Sequence, residues 1–139
     1  MTNTTTQTAS LALLNSEIEG IHRMLSRYEA SYIKARQELA DHVVKHGPIS
    51  AIRWSAEAMQ AEMKAYAARE VLKLIENGEP LSKIADYCQD EAMKQLSYTI
   101  VTCQDNVREH VYKGQAYAEI GKELASTIRY IERQQAKAA

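Results

Sequence analysis

The chain has 139 residues, 17 of them basic and 18 acidic for a formal net charge of −1, with 45% hydrophobic and 25% charged content. That is ordinary globular usage, enough for one domain with a modest core, and the balanced charge gives no overall field for nucleic acid or an anionic membrane surface. No apolar run approaches the roughly 18 residues of a membrane span, and "LALL" at 11–14 is too short for a signal-peptide core.

Residues 1–9 are rich in threonine and read as a disordered tail. From 10 onward the pattern is helical throughout, with no β-type alternation, and residues 10–139 read as one helical domain. Gly47 in "KHGP", Gly78 in "ENGEP" and Gly114 in "YKGQ" each follow a helical pattern. Glycine accepts the left-handed conformation that ends a helix, and proline cannot continue one. Four helices are expected at about 10–46, 48–77, 80–113 and 115–136. The fold class is all-α, an antiparallel bundle of about four long amphipathic helices with coiled-coil-like packing.

The first helix carries a 3–4 heptad seam: Leu11, Leu14, Ile18, Ile21, Leu25, Tyr28, Tyr32, Ala35, Leu39, His42 and His46. "SEIE" at 16–19 fits a capping box and offers a second possible start. At roughly 55 Å this helix outruns the last one, at roughly 33 Å by the same rise. Its leftover stripe suggests a homodimer, with Leu11, Leu14, Ile18, Ile21, Leu25, Tyr28 and Tyr32 as interface candidates.

The second helix offers Ile49, Ile52, Ala56, Met59, Met63, Ala67, Val71 and Leu74. The third offers Ile84, Cys88, Ala92, Leu96, Ile100, Cys103, Val107 and Val111, spaced mostly by four, so its stripe either broadens or breaks. The fourth has Tyr117, Ile120, Leu124, Ile128 and Ile131. Lys122, Arg129, Arg133 and Lys137, interleaved with glutamates, read as a solvated face.

His42 and His46, four apart on the seam, put two imidazoles on one helix face, within reach of a metal ion or an anion. Imidazoles also suit the C-terminal end of a helix, where the dipole favours them. In an up-down-up-down bundle the ends of helices 1 and 3 meet the starts of helices 2 and 4. That topology gathers His42, His46, Trp54, Glu109, His110, Tyr112 and Tyr117 as ligand or metal candidates at one pole. "EGIH" at 19–22 contains one Glu-x-x-His unit, but a di-iron bundle needs two, plus further inward glutamates. Cys88 and Cys103, on one helix, stand roughly 22 Å apart, too far for a disulfide.

No catalytic triad, phosphate loop or Cys-x-x-Cys pattern occurs, and no cofactor is called for. The expectation is a non-enzymatic helical protein that binds other protein chains as a scaffold, adaptor or regulatory inhibitor. It would be cytoplasmic and homodimeric, without membrane or nucleic-acid partners. The alternative is a small-molecule- or metal-binding bundle using the His/Tyr-rich pole.

Overall fold

The computed structural model describes residues 2–101 and 104–138, and the side chains of 11–100 and 106–138. Among the described residues there are four helices and no strand: α1 Thr2–His46, α2 Ile52–Glu76, α3 Leu81–Val101 and α4 Gln104–Ala138. The all-α bundle expected from the sequence is therefore the fold. The backbone of α1 is helical from Thr2, through the stretch that composition assigns to a tail and past the capping box at Ser16.

Two of the three glycine stops are where the sequence puts them. Gly47 and Gly78 have φ of +84° and +77°, a region that residues with a Cβ enter at a cost of about 1–2 kcal/mol. The Gly47 amide bonds to Val43 O at 2.9 Å, and that of Glu79 to Leu74 O at 3.1 Å. Spare carbonyls at both helix ends are thereby satisfied.

The third expected break is corrected. Gly114 lies inside α4, ten residues past its first residue: α3 ends at Val101 and α4 begins at Gln104. Gly114 serves packing instead. A Cβ built there would stand 3.3 Å from Ala92 O, 3.4 Å from Gln95 Cβ and 3.5 Å from Leu96 Cγ. At Gly121, two turns on, it would stand 3.0 Å from Cys88 Cβ. Hydrogen in place of a methyl group at both positions lets α3 and α4 lie close together.

α1 pairs with α2, and α3 with α4, as antiparallel hairpins; α2 and α4 then pack across the middle. Among the described residues the backbones of α1 and α3 do not approach each other closely. The core forms where the hairpins meet: Ile21 and Leu25 from α1, Ala67, Ala68 and Val71 from α2, Ile84, Cys88 and Ala92 from α3, and Ala116, Tyr117, Ile120 and Leu124 from α4. Leu25 is 1% exposed, so this part of the heptad seam is spent inside the chain. Burying such a side chain is worth about 1.5–3 kcal/mol. Of the other seam residues, Leu14, Ile18, Tyr28 and Tyr32 are half-buried and Leu11 is exposed.

Candidate functional site

The opening of the α1–α2 hairpin brings together three of the residues singled out from the sequence. The rings of His42 and His46 lie 4.7 Å apart and tilted, and His42 lies 5.4 Å from the indole of Trp54. His42 Nε2 is 3.2 Å from the carbonyl of Ser50 and donates to it. The Ser50 hydroxyl in turn donates to His46 O at 3.0 Å. These bonds tie the end of α1 to the turn that follows it. Glu38, Asp41 and Lys45 join the three aromatic rings around an open hollow of about 310 Å³. His42 is half-buried there and His46 is exposed, so of the two only His42 faces inward.

The other pole candidates do not join this cluster. With the α3–α4 turn before Gln104, His110 sits in the second turn of α4 and faces back along α3. Its Nδ1–H donates to Gln95 Oε1 at 2.8 Å, and its ring lies edge-on to Tyr98 at 5.3 Å. Gln95 is buried, so this bond satisfies an amide that would otherwise be stranded in the core. Tyr117 lies deeper still, 1% exposed, with its ring 5.9 Å from that of Tyr87. Its hydroxyl titrates well above the ordinary range for tyrosine because of burial first and the Tyr87 hydroxyl second. Glu109 is exposed and Tyr112 half-buried. The expected gathering thus divides into a histidine–tryptophan cluster on one hairpin and a glutamine-anchored histidine on the other.

A tyrosine layer joins the hairpins at mid-height. Lys64 pairs with Glu119 at 3.3 Å and lies 6.0 Å from the Tyr28 ring, while Lys113 stacks on Tyr66 at 4.1 Å. Tyr28 is held above its ordinary pKa by burial, then by Glu119 and Glu123. Of the polar half of the α1 seam, Tyr28 lies in this layer, Tyr32 stacks with Arg36 of its own helix at 5.7 Å, and His42 and His46 line the hollow at the hairpin's end. Cys88 is a free thiol in the core, and burial pushes it up to about 12. Cys103 lies outside the described residues. Glu19 of "EGIH" is exposed and lies 3.9 Å from Arg23. Among the described residues no three His, Cys, Asp or Glu side chains converge as a metal site.

A larger hollow lies elsewhere, on the outer face of the α3–α4 hairpin, with a volume of about 500 Å³. Small residues floor it: Ala85 and Ala92 from α3, Ala118, Gly121 and Ala125 from α4. Met93 and Leu96 project at its edge, 66% and 50% exposed, with Ile100 one turn further on. Asp86, Gln89 and Lys122 complete the rim. The sequence reading placed Leu96 and Ile100 on the inward stripe of α3. A stripe spaced strictly by four advances about 40° per step around the helix. It starts inside at Ile84, Cys88 and Ala92, and has wound outward by Leu96, while Gln95 takes the inner place.

The chain matches no protein-family model, no curated protein and no solved structure. Its class is defined by the fold alone, an all-α bundle of two helical hairpins, and among the described residues no helix is long and apolar enough to cross a membrane.

Proposed function

We propose that the protein is a non-enzymatic helical binding module that works by pairing with a second copy of itself through the outer face of α3 and α4. The observation that carries this reading is the juxtaposition on one face of projecting and receding parts. Met93 and Leu96 stand out beside a hollow floored by Ala85, Ala92, Ala118, Gly121 and Ala125. A surface with both suits a two-fold pair, in which each copy's projections would enter the other's hollow. Gln89, Met93, Leu96 and Ile100 follow a 4–3–4 spacing along exposed α3, the seam that helix-on-helix packing uses. The sequence favoured α1 as the dimer face, but Ile21 and Leu25 are committed to the chain's own core, whereas the α3 stripe has no cover within the described chain.

Sedimentation of the wild-type chain over a micromolar concentration range tests the proposal. A dimer is expected, and Leu96→Asp is expected to shift it to monomer without loss of helicity, because Leu96 is already half-exposed. A wild-type monomer throughout that range, or a Leu96→Asp/Met93→Asp chain that remains dimeric, overturns it.

A further inference from the structure

The turn between α1 and α2 combines two properties that its counterpart between α2 and α3 lacks. Four aliphatic side chains stand in the open around it. Val44 is 86% exposed, Ile49 84% and Ile52 65%, with Val43 beside them. The segment from His42 to Ala56 also holds Lys45 and Arg53, both exposed, two histidines, and no acidic residue. The nearest carboxylates on α1, Glu38 and Asp41, border the hollow about a turn behind Val44 and Lys45. On α2 the nearest is Glu57, more than a turn beyond Ile52. The counterpart turn, from Glu76 to Pro80, is exposed, carries Glu76 and Glu79, and presents no large aliphatic residue. A net charge of −1 over the whole chain averages away this local asymmetry.

The aliphatic tip is also held in shape. Gly47 at φ +84° turns the chain, and Pro48 follows it. The Ser50 hydroxyl caps His46 O, His42 Nε2 holds Ser50 O, and Ala51 is buried beneath them. Ordering the turn is thus already accomplished by the fold, and binding need not meet the entropic cost of fixing its backbone. Trp54 stands just behind them, half-buried against His42, where an amphipathic ring meets the boundary between water and hydrocarbon.

We infer that the α1–α2 turn is a peripheral membrane-contact tip that inserts Val44, Ile49 and Ile52 into the interface of an anionic lipid bilayer, with Lys45 and Arg53 at the headgroups. The chemistry on both sides matches. Aliphatic side chains enter the acyl boundary, and flanking cations meet a negative surface that an acidic rim would repel. The contact is reversible and local, and among the described residues no helix is long and apolar enough to span the bilayer.

Co-sedimentation of the full chain with vesicles tests this directly. One set is phosphatidylcholine alone, and the other includes a quarter phosphatidylglycerol. Binding is expected to the anionic set at low salt and to be much weaker for the neutral set. Ile49→Asp and Ile52→Asp are each expected to lower partitioning by about tenfold, the loss of one buried aliphatic side chain. Lys45→Ala with Arg53→Ala, removing two cations, should lower it by about thirtyfold. All four side chains are exposed, so circular dichroism should show unchanged helicity; Val44→Asp supplies an independent variant on the other arm of the turn. Trp54 is the only tryptophan in the chain, and brominated lipid is expected to quench it. Three results would each overturn the inference: no binding to anionic vesicles, binding indifferent to the aliphatic substitutions, or loss of self-association in the Ile49→Asp chain with vesicle binding unchanged.

Discussion

The two hairpins of this bundle are closed by opposite means. The α1–α2 pair sets the long side chain of Leu25 beside Ala65 and Ala68 of α2, with the Arg69 guanidinium donating to Glu29 at 3.0 Å. The α3–α4 pair meets almost backbone to backbone, over Gly114 and Gly121, with Ala92 and Cys88 opposite. Outside this first seam lies a hollow of about 490 Å³, lined by Leu25, Ala30, Ile33, Ala65 and Ala68 with Glu29 and Arg69. A seam of small residues brings two helices together and leaves a shallow apolar trough outside it. Both hairpins sit in one core, and the hollow outside the second is bordered by exposed Met93 and Leu96, whereas the hollow outside the first is bordered by the Arg69–Glu29 ion pair.

The sharpest way to break this comparison is to place a charge in the first seam. Leu25→Asp or Ile21→Asp is expected to destabilise the fold by about 3–5 kcal/mol, because the carboxylate would be buried without a partner. That is unfolding or near it for a domain of ordinary stability. Thermal melting followed by circular dichroism checks this, and loss of dimer with a native melting curve would put these residues in a subunit interface instead.

Bulk added to the second seam should act next most strongly. Gly121→Val drives methyl groups into Cys88 and is expected to cost about 2–3 kcal/mol. Raising the pH above 9 should weaken the same seam. Burial raises the folded pKa values of Cys88 and Tyr117 above the ordinary values of their side chains, near 9.0 and 10.0, so the folded chain holds these protons longer than the unfolded chain. Stability is then full below about pH 9 and declines as the pH rises beyond it, by up to about 1.4 kcal/mol per pH unit for each group in range. Urea titrations at pH 8 and pH 10 measure the difference, and Cys88→Ala should reduce it.

Alanine separates two glycines that look alike in sequence. At Gly20 the nearest obstacle to a Cβ is the mobile end of Arg23, 3.9 Å away, so Gly20→Ala should stabilise the chain by up to about 1 kcal/mol. At Gly121 the same gain in helix propensity is outweighed by the approach to Cys88, and a net loss of about 1 kcal/mol is expected. Paired denaturant titrations give the two signs. The smallest effect belongs to Arg69→Ala, which removes a half-exposed ion pair with Glu29 worth about 0.2–1 kcal/mol.

Much of the fold was legible because the strongest sequence signals were also the physical determinants. Gly47 and Gly78 end helices through their positive φ, and each has proline within two residues. Gly114 was misread because a glycine that lets helices touch and a glycine that ends one look the same singly. The distinguishing signal was its neighbourhood: no proline follows, and Gly114, Ala118, Gly121 and Ala125 repeat at helical spacing. That one displaced turn carried the candidate site with it. His42, His46 and Trp54 were brought together correctly because their placement rests on Gly47. His110 and Tyr117 were not, because theirs rested on Gly114. Gln95, the partner of His110, gave no sign of itself, since a buried glutamine looks like any surface glutamine until its acceptor is satisfied by a specific neighbour.

The account turns on the outer face of α3 being the place where two copies meet. Spin labels at Ser97→Cys and, separately, at Arg36→Cys, in a Cys88→Ala/Cys103→Ser background, test it most directly. Both positions are exposed, one on α3 and one on α1. Dipolar spectroscopy at micromolar concentration is expected to give a short inter-copy distance from the α3 label and a longer one from the α1 label. A short distance from Arg36→Cys with none from Ser97→Cys, or no inter-copy signal from either, would contradict the account.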